Sequence, residues 1–138
     1  MLFWGGKTIN ALAVIVISSV LVCYSATSQA QSRSDSDDLA LLFCSYVQAN
    51  DSNGFRNTLR NLRLRLRDIY PRIRCNNHSM IQFAVISNSY DIGRFIAHSV
   101  LLDDLHSSGD ITWVKNLEPT HPIAEVVRER NQAARKEG

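Results

Sequence analysis

The chain has 138 residues and a formal charge of +2, from 15 Lys and Arg against 13 Asp and Glu. That length supports one domain with one modest core. A total charge so near neutrality argues against a general polyanion binder.

The first charged side chain is Lys7 and the next is Arg33. Between them lies the apolar run 11–23, short of the roughly 20 residues that span a bilayer. Lys7, this run and the small residues Ser28 and Ala30 read as a signal peptide over residues 1–30, cleaved after Ala30. An uncleaved membrane anchor is the competing reading. A lipid-attachment signal fits poorly because Val22, not a small residue, precedes Cys23, so Cys23 is expected to leave with the signal. No membrane span then remains, and the mature chain enters an oxidising, periplasm-like compartment.

Cys44 and Cys75 are the cysteines left after cleavage, and an even pair in such a compartment reads as a disulfide. Closing the intervening loop stabilises the fold by about 3–4 kcal/mol on a chain-entropy account. A metal site using Cys75 and His78 is the alternative. Zinc takes four ligands, and His98, His106 and His121 show no ligand spacing. No metal and no cofactor is therefore expected.

Residues 31–36 are polar and are expected to form a flexible leader. A helical domain follows over 37–102, then a C-terminal extension over 103–138. Ser36 can cap a first helix, with Asp37 and Asp38 in its first turn. Leu39, Leu42, Phe43, Tyr46 and Val47 give that helix a buried stripe, with Cys44 beside it. Residues 50–54, Asn-Asp-Ser-Asn-Gly, signal a turn.

A second helix is predicted from about Asn53, with Phe55, Leu59 and Leu62 at helical spacing and Arg56, Arg60 and Arg63 on an adjoining face. It should end near Arg63, because residues 62–67 alternate Leu and Arg as an extended segment would. Pro71 disfavours helix at Tyr70. Residues 75–78, Cys-Asn-Asn-His, read as a tight loop, since Asn tolerates the left-handed conformation.

Ser79 can cap a third helix carrying Met80, Ile81, Phe83, Ala84 and Val85. Asn88 and Ser89 break it, and a fourth helix runs from about Tyr90 with Ile92, Phe95, Ile96 and Val100 inward. Gly93 weakens a helix by about 1 kcal/mol relative to Ala, so close packing against a neighbour is expected there. Residues 106–110 read as a loop and 111–114 as an extended apolar segment, with Trp113 anchoring the extension. Pro122 suits the first position of a last helix, in which Ile123, Val126 and Val127 form a narrow apolar edge. Arg128, Glu129 and Arg130 are expected to be solvated, and the chain end to fray.

The pair of helices over 77–96 resembles an ankyrin-type helix–turn–helix, with Ser79 at the cap and Ile81 and Ala84 inward. The pair over 39–62 repeats the plan with a longer turn. The fold class expected is thus all-α: two stacked ankyrin-like pairs plus a C-terminal extension and helix. A solenoid usually needs at least about three repeats, so the disulfide and the docked extension would complete the stack. The runs 63–70, 73–76 and 83–84 also resemble the bacterial domain-of-unknown-function family 3718, over about residues 36–100. Asn77 stands where that family usually has glycine. The resemblance implies a Gram-negative, periplasmic setting and no particular activity.

Arg56, Arg60, Arg63, Arg65, Arg67, Arg72 and Arg74 face only Asp68 in their span. Guanidinium groups form bidentate pairs with carboxylate or phosphate. Two readings follow. Arg63, Arg65, Arg67, Arg72 and Arg74 could bind an acidic protein or an envelope anion. Alternatively, the arginines pair internally with Asp37, Asp38, Asp91, Asp103 and Asp104. Nucleic acid is not expected, because no aromatic residues are interleaved for base stacking. No catalytic constellation stands out: Ser79, between His78 and a more distant Asp91, lacks a nucleophile elbow, and Asp103-Asp104 reads as a solvated helix end. The expectation is a non-catalytic, exported interaction module. A small hydrolase or hydrolase inhibitor is one alternative, and a structural envelope protein is another.

Overall fold

The structure, a computed structural model, describes residues 28–138, with side chains from residue 35 onward. The expected signal peptide lies outside the described residues except for its last three positions, as do Lys7 and Cys23. The chain forms two units, 1–37 and 38–138, and the described part of the first is helical.

Eight α-helices make up the described residues: α1 Ser28–Gln48, α2 Ser52–Asn61, α3 Leu66–Ile69, α4 Met80–Ile86, α5 Tyr90–Ser99, α6 Leu102–Ser107, α7 Asp110–Trp113 and α8 Pro122–Glu137. A 3-10 turn, Val114–Asn116, continues α7. Among the described residues there is no strand; one isolated bridge pairs Cys75 with His78. The fold is all-α.

The polar residues 31–36 lie within α1. No Gly or Pro interrupts residues 28–48, and a helix once nucleated propagates at little cost. In α1, Phe43 and Val47 are buried, whereas Leu42 at the stripe's edge is exposed. Three helix ends share one geometry. Asn50, Arg63 and Asn88 each have φ between 54° and 55°. The next amide in each case bonds back to a carbonyl five residues earlier: Asp51 to Tyr46, Leu64 to Leu59 and Ser89 to Ala84. This is the Schellman closure, which needs a left-handed residue and satisfies carbonyls a helix end leaves open.

The helices of both expected pairs, α1 with α2 and α4 with α5, are present, and α4 packs against α5. Helix α5 packs mainly against α4 and, as extensively, against α8, with smaller contacts to α2 and α3. Gly93 sits at the α5–α8 contact, beside Ile123 and Ala84. The C-terminal extension therefore docks through Ile123, Ala124, Val126 and Val127, all buried. Trp113 is half-buried against the core rather than its anchor.

The expected extended segment at 111–114 is instead α7 and its 3-10 continuation, entered through Gly109 at φ 81°. The expected loop at 106–110 is partly the end of α6. Arg128 and Arg130 also differ from expectation. Arg128 donates to the carbonyls of Val114, Leu117, Glu118 and Pro119, at 2.6 to 3.1 Å. Arg130 donates to the carbonyls of Ala97 and Val100, both at 2.7 Å. Both reach carbonyls at and after the 3-10 turn and at the end of α5, those of Val114 and Glu118 also accepting the Leu117 and His121 amides, a service that alternation and charge alone do not reveal.

Candidate functional site

The arginine-bearing loop leaves α2 at Leu62 and reaches Cys75. Its alternation is real, although its backbone is not a strand. Leu64 is half-buried, and Leu66, Ile69, Tyr70, Ile73 and Cys75 are buried. Arg63, Arg65, Arg67, Arg72 and Arg74 are all exposed. Leu66–Ile69 is one helical turn in place of the expected extended stretch, because a turn lets Leu66, Ile69 and Tyr70 reach the core together. The loop is thus nailed down by its apolar residues while its arginines project outward.

Its two ends are fixed covalently and by turn geometry. Cys44 of α1 and Cys75 form a disulfide with their Cα atoms 5.6 Å apart. Cys75 and His78 exchange amide–carbonyl hydrogen bonds at 2.9 and 3.0 Å. Asn76 and Asn77 between them have φ of 50° and 64°. Two left-handed central residues define a type I′ turn, for which Asn is well suited. Asn77 therefore does the conformational job of a glycine.

The positive charge of the loop is not cancelled among the described residues. Among the described residues one ion pair is present, Arg67 Nε to the neighbouring Asp68 at 3.9 Å, with both side chains about half exposed. The internal pairing with Asp37, Asp38, Asp91, Asp103 and Asp104 is absent among these residues. A surface pair of that length contributes about 0–1 kcal/mol, and the guanidinium groups of Arg63, Arg65, Arg72 and Arg74 have no carboxylate partner among the described residues.

Behind the loop lies a polar centre that sequence reasoning misses. Asp110 is fully buried. One carboxylate oxygen accepts from the Ser79 hydroxyl at 2.6 Å and the Gln82 amide at 3.0 Å. The other accepts from the Tyr70 and Ser108 hydroxyls. Four neutral donors replace the water a carboxylate needs when buried. Burial first, then the adjacent Asp110 charge, push the Tyr70 phenol well above its ordinary range, so Tyr70 stays a donor. The centre ties the end of the arginine loop, the start of α4 and the C-terminal extension together. No local signal points to it, because Asp110 meets Tyr70 and Ser79 across 40 and 31 residues.

The same contacts settle the role of Ser79. Its hydroxyl accepts from the Gln82 amide at 3.1 Å, and the Gln82 side chain returns to the Ser79 amide, a complete capping box. The hydroxyl is buried and donates to Asp110, so it is a helix cap. Asp103 and Asp104 lie in the first turn of α6, where negative charge favours the helix dipole. His98 lies in the last turn of α5, where positive charge is favoured. Among the described residues no group of three or more His, Cys, Asp or Glu side chains could hold a metal ion.

These features define a small, disulfide-closed, all-α domain presenting an anchored arginine loop. Residues 43–107 match the family described as Protein of unknown function (DUF3718), and this stretch is a domain of that uncharacterised family. The match contains Cys44, the whole arginine loop and Cys75 and stops short of Asp110. No curated protein and no solved structure matches the chain.

Proposed function

We propose that the protein is an exported, non-catalytic interaction module whose loop arginines, Arg63, Arg65, Arg67, Arg72 and Arg74, engage an acidic protein surface. The observation that carries this reading is the loop itself: five exposed guanidinium groups, one weak ion pair, and a backbone held by buried neighbours and a disulfide. Planar, bidentate donors on an anchored backbone match carboxylate geometry, so that binding has only side-chain freedom left to restrict. Export to a periplasmic compartment is supported by the signal-like segment over 1–30 and by the disulfide, which persists in oxidising surroundings. No described helix is long and apolar enough to cross a membrane.

The test uses a polyglutamate peptide as the acidic probe. Binding should weaken steeply between low and high salt, and replacing the five arginines with glutamine should abolish it while the helical spectrum is unchanged. Affinity that is independent of salt, or equal in the variant, contradicts the reading.

A further inference from the structure

A second candidate site lies away from the arginine loop, in an open cleft of about 550 Å³ between the α1–α2 turn and α5. Its size is that of a small-molecule site, which usually occupies about 300–1,000 Å³. Arg56, Arg94, Phe95 and His98 line it, with Asp51 and Asp91 on the same walls. The guanidinium carbon of Arg56 stands 4.2 Å from the centre of the Phe95 ring. Phe95 in turn meets Phe55 edge-on, and Phe55 meets Phe43 in the core. Arg56 is thereby seated over a ring that packs against the core, with its N–H fork uncommitted to any carboxylate among the described residues.

The acidic groups of the cleft are already engaged by the chain. Asp51 accepts from the Gly54 amide at 2.8 Å and caps α2. Asp91 accepts from the Asn50 side chain at 3.2 Å, while Asn50 accepts from the Ile92 amide at 3.1 Å. The Ser52 hydroxyl is buried beneath the same wall, with no hydrogen-bond partner among the described residues. The groups of the cleft that the chain leaves uncommitted are thus the guanidinium groups of Arg56 and Arg94 and the imidazole of His98.

We infer that this cleft binds a small organic carboxylate, with Arg56 as the bidentate contact and Arg94 as the second charge. A dicarboxylate is favoured over phosphate because it spreads its two negative charges over two groups, one for each arginine, whereas phosphate concentrates them on one group beside Asp51 and Asp91. The site is independent of the arginine loop.

The experiment is amide-resolved NMR of the purified, disulfide-intact chain, titrated separately with succinate and with glycerol phosphate. Saturable succinate binding is expected, with shifts at Gly54, Arg56, Arg94 and Phe95. Arg56→Lys keeps the charge and loses the fork, and Arg94→Gln removes a charge; both positions are exposed, and each variant should bind succinate at least about fivefold more weakly. Absence of saturation, shifts confined to residues 63–74, unchanged affinity in both variants, or tighter binding of glycerol phosphate would each overturn the inference.

Discussion

Gly93 of α5 and Ile123 of α8 approach so closely that a Cβ on Gly93 would lie 2.2 Å from Ile123 Cδ1 and 2.9 Å from its Cγ1. Ala84 of α4 stands at 3.0 Å from the same point. The absent side chain is what lets three helices converge. Gly93→Ala gains helix propensity of about 1 kcal/mol, but overpacking a filled core costs about 1–3 kcal/mol. Net destabilisation is expected in urea denaturation. Ile123→Val removes the clashing Cδ1, so the double variant should lose less stability than the two single changes summed.

The disulfide is expected to contribute about 3–4 kcal/mol, as its cysteines are 31 residues apart. Cys44→Ser with Cys75→Ser should lower the denaturation midpoint accordingly. An unchanged midpoint would mean that the apolar residues of the loop suffice to hold it.

Tyr70 and Asp110 give the fold an alkaline limit. The folded phenol titrates above the unfolded value of about 10. Its stabilising contribution is therefore complete below about pH 10 and is lost progressively as pH rises beyond that. Tyr70→Phe should cost about 1–3 kcal/mol at neutral pH, by leaving Asp110 one donor short, and should flatten the alkaline decline. A decline as steep in the variant would assign it to another group.

Arg63 and Arg128 should respond oppositely to replacement. Arg63 has φ 54°, which an ordinary L residue adopts at a cost of about 1–2 kcal/mol. Arg63→Gly is expected to stabilise by about 0.5–1 kcal/mol in thermal denaturation. Arg128→Ala strips donors from four carbonyls and should cost about 1–3 kcal/mol. Arg65→Ala, exposed and unpaired with any acid, should change stability by less than about 0.5 kcal/mol.

The helices with caps and apolar periodicity are legible in the sequence. Ser79 with Gln82, the tight turn at Asn76–Asn77, the close approach at Gly93 and Pro122 at the start of α8 all carry their cause within a few residues. Features that depend on distant partners are not legible in this way. The 62–67 alternation is compatible with a strand, and only the core that receives Leu66, Ile69 and Tyr70 decides otherwise. Arg128 and Arg130 look like surface charges until the helix ends they cap are in place. Asp110 looks like a turn residue because its four donors come from three separate parts of the chain. At the candidate site, the five arginines and both cysteines stand out from the sequence alone, but the outward projection of every arginine follows from the buried residues between them.

The most direct single measurement is the intact mass of the protein purified, without reduction or alkylation, from cells that synthesise the full chain. The account predicts a species that starts at Gln31 and is about 2 Da lighter than its dithiol form, the loss of two hydrogens on joining Cys44 to Cys75. A mass that retains residues 1–30, or two thiols that both react with iodoacetamide in the native protein, would contradict it.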